Sequence, residues 1–586
     1  MKTTTYTFPE SLESRIAPAG LVTLSFAGGV LSIDGGDGAD HHVSIIKTGL
    51  NAFRVEGLDT DIGVAGDSSK SFRGVLKSVV IDGGAGADTF EVVNLGPLKS
   101  FRFDGNEGVD SLSVSNLKTK LGARVDISLG DDGGSVNLTG NKTQVRGDFN
   151  LDLGVGGSAT FAAADTLITG AVMVLGGLEG DALSFTGAKT VLNKSLTFNG
   201  GEGNDVFSST GNSFIVRGIV AMDGGAGAND FAFSASTMTV GKPLIPGGFD
   251  LKLGDGAGSV TFAGSSHKVL GAMKVDLGAG GGTALLGANV TSIRDQVDVT
   301  GGAGNDSLHF DGRISIGRGL TFLGDAGDDT LTATGGLLSV KGAVSMEGGV
   351  GAGVLTLNPT TLAIAALTFV GGSENDSVSI IADGTISGDA DIQMGLDGTG
   401  PSSTIIQSKA GTTNGLKFGR SLSIDMVGAT VDALTIANIQ VAQAFSAQTG
   451  EDVSTVDIVK LNVRGDLRLE TGSGADVVNI DNINAANFYV DTQIGADELR
   501  IERNAAFTGL SRILGTATIL TGIGADQIRI GDASNPADLS VGFGGAMSLD
   551  AGNDANMRND ILASNVFRST SALLSTDGTL TQTEAV

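Results

Sequence analysis

Apolar and polar residues alternate in short runs along almost the whole chain. The runs at residues 110–114 (DSLSV), 376–380 (DSVSI) and 526–530 (DQIRI) share one order, an acidic residue followed by apolar residues at every second position. A period of two residues predicts a β-strand that buries one face. We therefore expect many short strands with apolar side chains inside and polar side chains in water.

A glycine-rich turn that ends in an acidic residue precedes most of these strands, as in residues 300–310 (TGGAGNDSLHF). The acidic residues Asp181, Asp205 and Asp230 close three such turns, spaced by roughly two dozen residues, which is a period typical of solenoids. Each period contains three apolar runs, for example those at residues 297–299 and 308–310.

Three short strands per period do not suit a β-propeller, whose blades contain four strands. They predict an all-β fold, a parallel β-helix (β-solenoid) with one rung per repeat of roughly 23–25 residues and roughly 20 rungs. A rung cannot bury its apolar face alone, so we expect the core to consist of stacked Leu, Val, Ile and Phe rows.

The repeat also predicts how the chain is organised. Residues 1–20 lie outside the repeat and are expected to form a leader or cap. Residues 21–560 form the repeat domain, in which residues 395–469 have the least regular turns. Residues 561–586 form a small, polar tail.

The formal net charge of −28, from 65 acidic and 37 basic residues, disfavours a nucleic-acid partner, because phosphate binding needs clusters of Lys and Arg. Cations are the natural counter-species. The chain has no run of apolar residues long enough for a transmembrane segment. Its N-terminus also lacks the continuous apolar region of a cleavable signal peptide.

The chain contains no cysteine, which excludes a disulfide framework, a thiolate metal site and a cysteine nucleophile. His41 and His42 are expected to be a solvated pair, because no third ligand is suitably spaced. His267 and His309 are expected to be exposed on the polar side of their strands.

The turn phrase resembles the nonapeptide GGxGxDxUx of the RTX (hemolysin-type) calcium-binding repeat. The matching turns are residues 35–40, 83–88, 200–205 and 301–306. The resemblance implies calcium held by backbone carbonyl groups and Asp carboxylates of stacked turns, and secretion without a cleaved N-terminal signal. It differs in spacing, since RTX nonapeptides run in tandem and this chain has one such turn per two dozen residues.

Carboxylates on successive rungs would lie roughly 5 Å apart and repel one another, and calcium prefers such oxygen ligands. The candidate calcium ligands are Asp40, Asp88, Asp110, Asp181, Asp205, Asp230, Asp306, Asp329, Asp376, Asp476 and Asp497. The same residues are equally compatible with turns that bind no metal, because Gly, Asn and Asp favour left-handed backbone and cap local N–H groups. Both interpretations stay open.

Residues 12–18 (LESRIAP) resemble the LEPR-like leader motif of some large bacterial extracellular proteins, with Ser14 in place of the proline. We therefore expect a non-enzymatic, secreted or cell-surface structural or adhesive protein that contacts cell-surface or matrix components. Two alternatives are a β-helical polysaccharide lyase or hydrolase, and an autotransporter-like passenger whose membrane barrel is a separate chain.

Overall fold

The computed structural model describes residues 20–36, 38–395, 400–412, 415–428, 430–502, 509–530 and 539–550, with two further short strands at 566–568 and 573–574. The predicted leader, apart from Gly20, and most of the predicted tail lie outside the described residues. Within them every regular element is a β-strand, and the stacked parallel coils form a β-solenoid of about 18 turns. The predicted fold class, with roughly 20 rungs, is confirmed.

The chain divides into two compact units, Met1–Gly201 and Glu202–Val586, which we describe separately. Most turns of the second unit and three turns of the first unit contain three strands, and we assign the strands to rows a, b and c. Row a follows the acidic turn, row b follows the next corner, and row c leads into the next glycine-rich turn. Each strand pairs in parallel with the strand of the same row one turn away, as Ser158–Phe161 does with Ala182–Phe185.

The strands of the first unit begin with Gly20–Ala27, Ala52–Gly57, Thr60–Ile62 and Ser69–Arg73, which belong to no row. Row a contains His42–Gly49, Thr89–Val93, Asp110–Ser115, Gly134–Thr139, Ser158–Phe161 and Ala182–Phe185. Row b contains Lys142–Val145, Asp165–Ile168 and Lys189–Leu192. Row c contains Val30–Asp34, Ser78–Asp82, Leu98–Asp104, Thr119–Ser128, Phe149–Asp152, Val172–Leu175 and Leu196–Asn199.

In the second unit, row a contains Val206–Ser209, Asp230–Phe233, Ser259–Phe262, Thr283–Leu286, Ser307–Phe310, Asp329–Ala333, Gly353–Leu357, Ser377–Ile381, Ser402–Gln407, Asp432–Val441, Ser454–Val463, Val477–Asp481, Glu498–Ile501 and Gln527–Ile530. Row b contains Ser213–Val216, Thr237–Val240, Ser266–Val269, Val290–Ile293, Arg313–Ile316, Leu337–Glu347, Thr361–Val370, Asp383–Ile386, Leu416–Phe418, Asn484–Ala485, Gly509–Ile513, Leu539–Phe543 and Val566–Arg568. Row c contains Val220–Asp223, Phe249–Lys252, Met273–Asp276, Val297–Gly302, Leu320–Asp325, Ala390–Gln393, Leu422–Asp425, Phe445–Gln448, Leu467–Glu470, Phe488–Asp491, Ala517–Leu520, Met547–Asp550 and Leu573–Leu574. Leu337–Glu347 and Thr361–Val370 continue into row c, and Asp432–Val441 and Ser454–Val463 continue into row b.

The core forms as the alternating pattern predicts. In Ser259–Phe262, Val260 and Phe262 are buried, while the two residues on the other parity are not. In-register pairing then places similar side chains of successive turns on top of one another. The rings of Phe233 and Phe262, for example, lie 4.9 Å apart and are nearly parallel. Such rows bury apolar surface that no single turn could cover, which makes each turn dependent on its neighbours.

The start of the first unit departs from the purely parallel arrangement expected. Gly20–Ala27 pairs antiparallel with Val30–Asp34, and His42–Gly49 pairs antiparallel with Ala52–Gly57. Gly28 and Gly29, which join the first pair, both have positive φ. A two-residue Gly-Gly turn favours a tight antiparallel hairpin, because glycine adopts positive φ without steric cost.

Asparagines form an inter-turn contact that the sequence analysis did not anticipate. Asn94 and Asn116 both adopt positive φ where a row a strand ends, and Nδ2 of Asn116 donates to Oδ1 of Asn94 over 2.7 Å. Asn tolerates left-handed backbone better than most residues and can both donate and accept hydrogen bonds.

No helix among the described residues is long and apolar enough to cross a membrane.

Candidate functional site: buried carboxyl groups at the corners

Most of the acidic residues that close the glycine-rich turns point into the molecule. Asp110 lies on the buried side of its strand together with Leu112 and Val114, since residues i, i+2 and i+4 share one face. We call the buried acidic residues at this position the corner carboxyl groups. They are Asp88, Asp110, Asp181, Asp205, Asp306, Asp329, Asp376, Asp432, Asp476, Asp497 and Asp526.

Most corner carboxyl groups bind a backbone amide of the preceding turn. In the first unit, the N–H of Asp88 donates to Oδ1 of Asp110 over 2.9 Å. In the second unit, the N–H of Asp306 donates to Oδ1 of Asp329 over 2.8 Å, and that of Asp476 donates to Oδ1 of Asp497 over 2.9 Å. Each bond satisfies a buried N–H that would otherwise be unpaired at a tight corner.

Asp181 and Asp376 also close their own turn. Oδ2 of Asp181 accepts the N–H of Gly177 over 2.8 Å, while its Oδ1 accepts the N–H of Gly157 over 2.7 Å. Asp376 accepts three amides, from Gly353, Gly372 and Gly395, at 2.8, 2.8 and 2.9 Å. The carboxyl group therefore stabilises both the conformation of its own turn and the contact with the neighbouring turn.

The structure places nine of the eleven predicted ligands at the corners and two of them, Asp40 and Asp230, on the surface. Their positions in the stack are taken by His41 and Asn229. The N–H of His41 and its ring Nδ1 contact Oδ1 of Asp88 at 2.7 and 2.8 Å. Oδ1 of Asn229 accepts the N–H of Asp205 over 2.6 Å, and its Nδ2 donates to the carbonyl oxygen of Leu253 over 2.7 Å.

The alternation of strand residues between the two faces explains why His41 and Asn229, and not Asp40 and Asp230, occupy these corners. Val43 and Ile45 are buried, so the residue two positions earlier, His41, points inward and Asp40 points outward. The expectation that His41 is solvated is therefore wrong. The same reasoning corrects His267, which is buried on the side of Val269. His309 lies on the outward side of its strand and is half-buried.

Four buried acidic residues were not among the predicted ligands, namely Asp432, Asp481, Glu502 and Asp526. Asp432 accepts the N–H of Gly450 over 2.6 Å and lies in the stretch with irregular turns. It begins an Asp-x-U-x-U phrase at residues 432–436 (DALTI), and that phrase could have revealed it without the glycine-rich turn. Buried Glu502 accepts the N–H of Asn482 over 2.7 Å, and no repeat phrase marks it.

The second carboxyl oxygen is the unusual feature of the site. Oδ2 of Asp88, of Asp110 and of Asp329 is buried without a hydrogen-bond partner among the described residues. A methyl group on Gly83 would lie 2.8 Å from Oδ2 of Asp88 and 2.8 Å from the carbonyl oxygen of Gly105, one turn further on. The first glycine of the turn is therefore required, because these two oxygens occupy the place of a side chain.

Burial raises the pKa of most of these carboxyl groups. Burial raises the pKa of Asp110 to about 7. The hydrogen bond from the Asp88 amide lowers this pKa and the negative charge of Asp88 raises it, but burial is the largest effect. Burial likewise raises the pKa of Asp329 and of Asp497 to about 6, and it raises that of Asp306. The cause is that a charged carboxylate loses hydration that one or two amide bonds only partly replace.

The donor set suits a small, hard cation or a proton. It is made only of oxygen, which fits calcium, but each turn brings together one carboxyl oxygen and one carbonyl oxygen, whereas calcium takes six to eight. Within the described residues no three Asp, Glu or His side chains converge on a point that could hold a metal ion. The side chains alone thus fit a proton better than a fully coordinated metal.

Comparison with protein-family models, curated proteins and solved structures gave no match to this chain.

We predict that the acceptor, and not the charge, is what the corner requires. In Asp329→Ala the buried N–H of Asp306 loses its acceptor, which should lower the free energy of unfolding by about 1–3 kcal/mol. Asp329→Asn should stay close to the wild type, because Asn229 fills an equivalent corner naturally. Urea unfolding followed by circular dichroism, with hydrogen exchange of the Asp306 amide, measures both.

Asp250→Ala is the matched control, since Asp250 is exposed on the outer side of a row c strand. An Asp329→Ala variant as stable as this control would contradict the assigned role of the carboxyl oxygen.

We also predict that the protein loses stability as the pH rises from about 4 to about 8. The pKa values of Asp110, Asp329 and Asp497 in the folded state lie at about 6 to 7, above the ordinary aspartate value of 3.8. Between these two pKa values the folded state therefore binds more protons than the unfolded state. The stability that these groups contribute is fully present below the pKa of the unfolded state and is lost as the pH rises through the pKa of the folded state. Thermal melts in metal-free buffer across this range test the sign.

The variant Asp110→Asn should flatten part of this pH dependence, because the amide cannot titrate. A melting temperature that rises steadily from pH 5 to pH 8 would show that the carboxyl groups are better accommodated as anions.

Proposed function

We propose that this chain is a non-enzymatic scaffold of the cell exterior, with a structural or adhesive role. The observation that carries the proposal is the use of the repeated acids. Their carboxyl groups are buried at the corners and bind backbone amides of neighbouring turns, as Asp110 and Asp329 do. Groups committed in this way stabilise a stack of turns and are not free to act on a substrate.

The outer surface supports a display role. Every second strand residue points outward, and successive turns repeat that position at the inter-strand spacing of about 4.8 Å. Such a surface presents ordered polar rows to cell-surface or matrix components. Export is part of the proposal and rests on the resemblance to RTX repeats and to the LEPR-like leader.

We expect intact cells of the producing organism to lose this protein on brief treatment with an external protease. A cytoplasmic marker protein serves as the control and should persist. The purified protein should release neither unsaturated nor reducing sugar from acidic polysaccharides. Protection from the protease would contradict the location, and sugar release would favour the alternative of a polysaccharide lyase or hydrolase.

Calcium binding at the corners is a second candidate function, favoured by one observation. The buried Oδ2 of Asp88 and the carbonyl oxygen of Gly105 converge beside Gly83, and neither oxygen carries a proton when the carboxyl group is ionised. A cation there would neutralise charge that the stack otherwise buries. Water or further carbonyl groups would have to supply the remaining ligands.

If calcium binds the corners, millimolar calcium should raise the melting temperature at pH 8 by several degrees, through mass action on the folded state. It should do so much less at pH 5, where protons occupy the corner carboxyl groups whose pKa is raised to about 6 or 7, such as Asp110 and Asp329. Magnesium at the same concentration is the control, since it demands tighter octahedral geometry. Equal melting temperatures with calcium and with chelator at pH 8 would leave the corners as purely structural elements.

A further inference from the structure

The outer face of row c in the first unit contains a groove. It crosses four successive strands, Leu98–Asp104, Thr119–Ser128, Phe149–Asp152 and Val172–Leu175, and its volume is about 440 Å³. The strands pair in register, so that Arg102, Asp126, Asn150 and Met173 occupy the same outward position on consecutive turns. The floor of the groove is therefore a regular part of the solenoid.

The polar side chains of the groove hold one another in place. Nε of Arg124 donates to Oδ1 of Asp126 over 2.6 Å, and Nδ2 of Asn150 donates to the same oxygen over 2.8 Å. Nη2 of Arg102 donates to Oδ2 of Asp104 over 3.0 Å. Such bonds fix the orientation of long side chains before any ligand arrives, which lowers the entropic cost of binding.

These bonds leave donors and acceptors directed at solvent. Arg124 uses its Nε and keeps both terminal nitrogens available, and the carbonyl oxygen of the Asn150 amide is an acceptor. Asp152 adds a carboxylate at the end of its strand, and the exposed Met173 adds an apolar surface. A ligand that fits must therefore accept and donate at short intervals and also present an apolar face.

The charges of the groove restrict the chemical class of the ligand further. Two arginines and three aspartates nearly cancel, although the whole chain has a formal charge of −28. The field of the chain disfavours a polyanion, and the paired arginines disfavour a polycation. Hydroxyl groups satisfy both kinds of partner, because each one donates and accepts.

We propose that this groove binds a neutral, polyhydroxylated chain, namely an uncharged polysaccharide. The turns repeat along the groove at about 4.8 Å, so the site is extended in the direction in which a linear chain would lie. The proposal adds a ligand to the scaffold function and does not depend on the corner carboxyl groups.

Isothermal titration calorimetry on the full chain tests the proposal, with cellohexaose, xylohexaose, mannohexaose and laminarihexaose as probes. Hexagalacturonate is the charged comparison of equal length. We expect at least one neutral oligosaccharide to bind and hexagalacturonate to bind more weakly. The variants Arg124→Met and Asn150→Leu should weaken binding by about tenfold or more, the equivalent of one lost hydrogen bond of roughly 1.4 kcal/mol.

Lys274→Leu is the matched control. Lys274 occupies the equivalent outward position of row c in the second unit, between Asp250 and Asp298. It should bind as the wild type does, and thermal melts of all variants establish that each is folded. Failure of every neutral oligosaccharide to bind, preference for hexagalacturonate, or unchanged binding by both groove variants would overturn the proposal and would leave the scaffold function untouched.

Discussion

The hydrogen-bonded register between successive turns is the constraint on which the rest of the structure depends. Each turn has strands with one apolar face, and only the turns beside it cover that face. In-register pairing places Phe161 against Phe185 in the first unit and Phe233 against Phe262 in the second. A slip of one residue would turn these rings outward, because side chains alternate between faces. The corner carboxyl groups oppose such a slip, since their oxygens meet the partner amides only in this register.

The corners show why an acid is used where an amide would serve. Asn229 demonstrates that a neutral side chain can accept the amide and also donate to a carbonyl group. A carboxyl group instead offers two acceptor oxygens, and Asp376 uses them for three amides. Where only one oxygen is used, as in Asp110, the other remains buried, and burial raises the pKa of the carboxyl group so that stability depends on pH. The acid therefore couples a structural corner to the composition of the surrounding solution.

The alternation of apolar residues was sufficient to predict the strands and their buried face, because burial of one strand face dictates that pattern directly. The number of turns followed from the spacing of the glycine-rich turns, which recur about once per turn. The same alternation also specifies which residue fills the corner, and it selects His41 and Asn229 over Asp40 and Asp230. The predicted ligands Asp40 and Asp230 were wrong as corner residues, because they were selected for their acidity and lie on the outward parity of their strands. Glu502 and the groove beside Arg124 were not predictable, because outward and corner contacts depend on which turns become neighbours.

The division between inward and outward positions separates stability from recognition. Inward residues must preserve volume and register, so Phe161 and Phe185 constrain each other across turns. Outward residues such as Arg124 and Asn150 bear no such constraint, and a change there alters the surface without disturbing the stack. Because strand pairing fixes their spacing, a few outward residues on adjacent turns suffice to build a site. Recognition can therefore reside in outward residues of any stretch of turns, while the core that supports them stays the same.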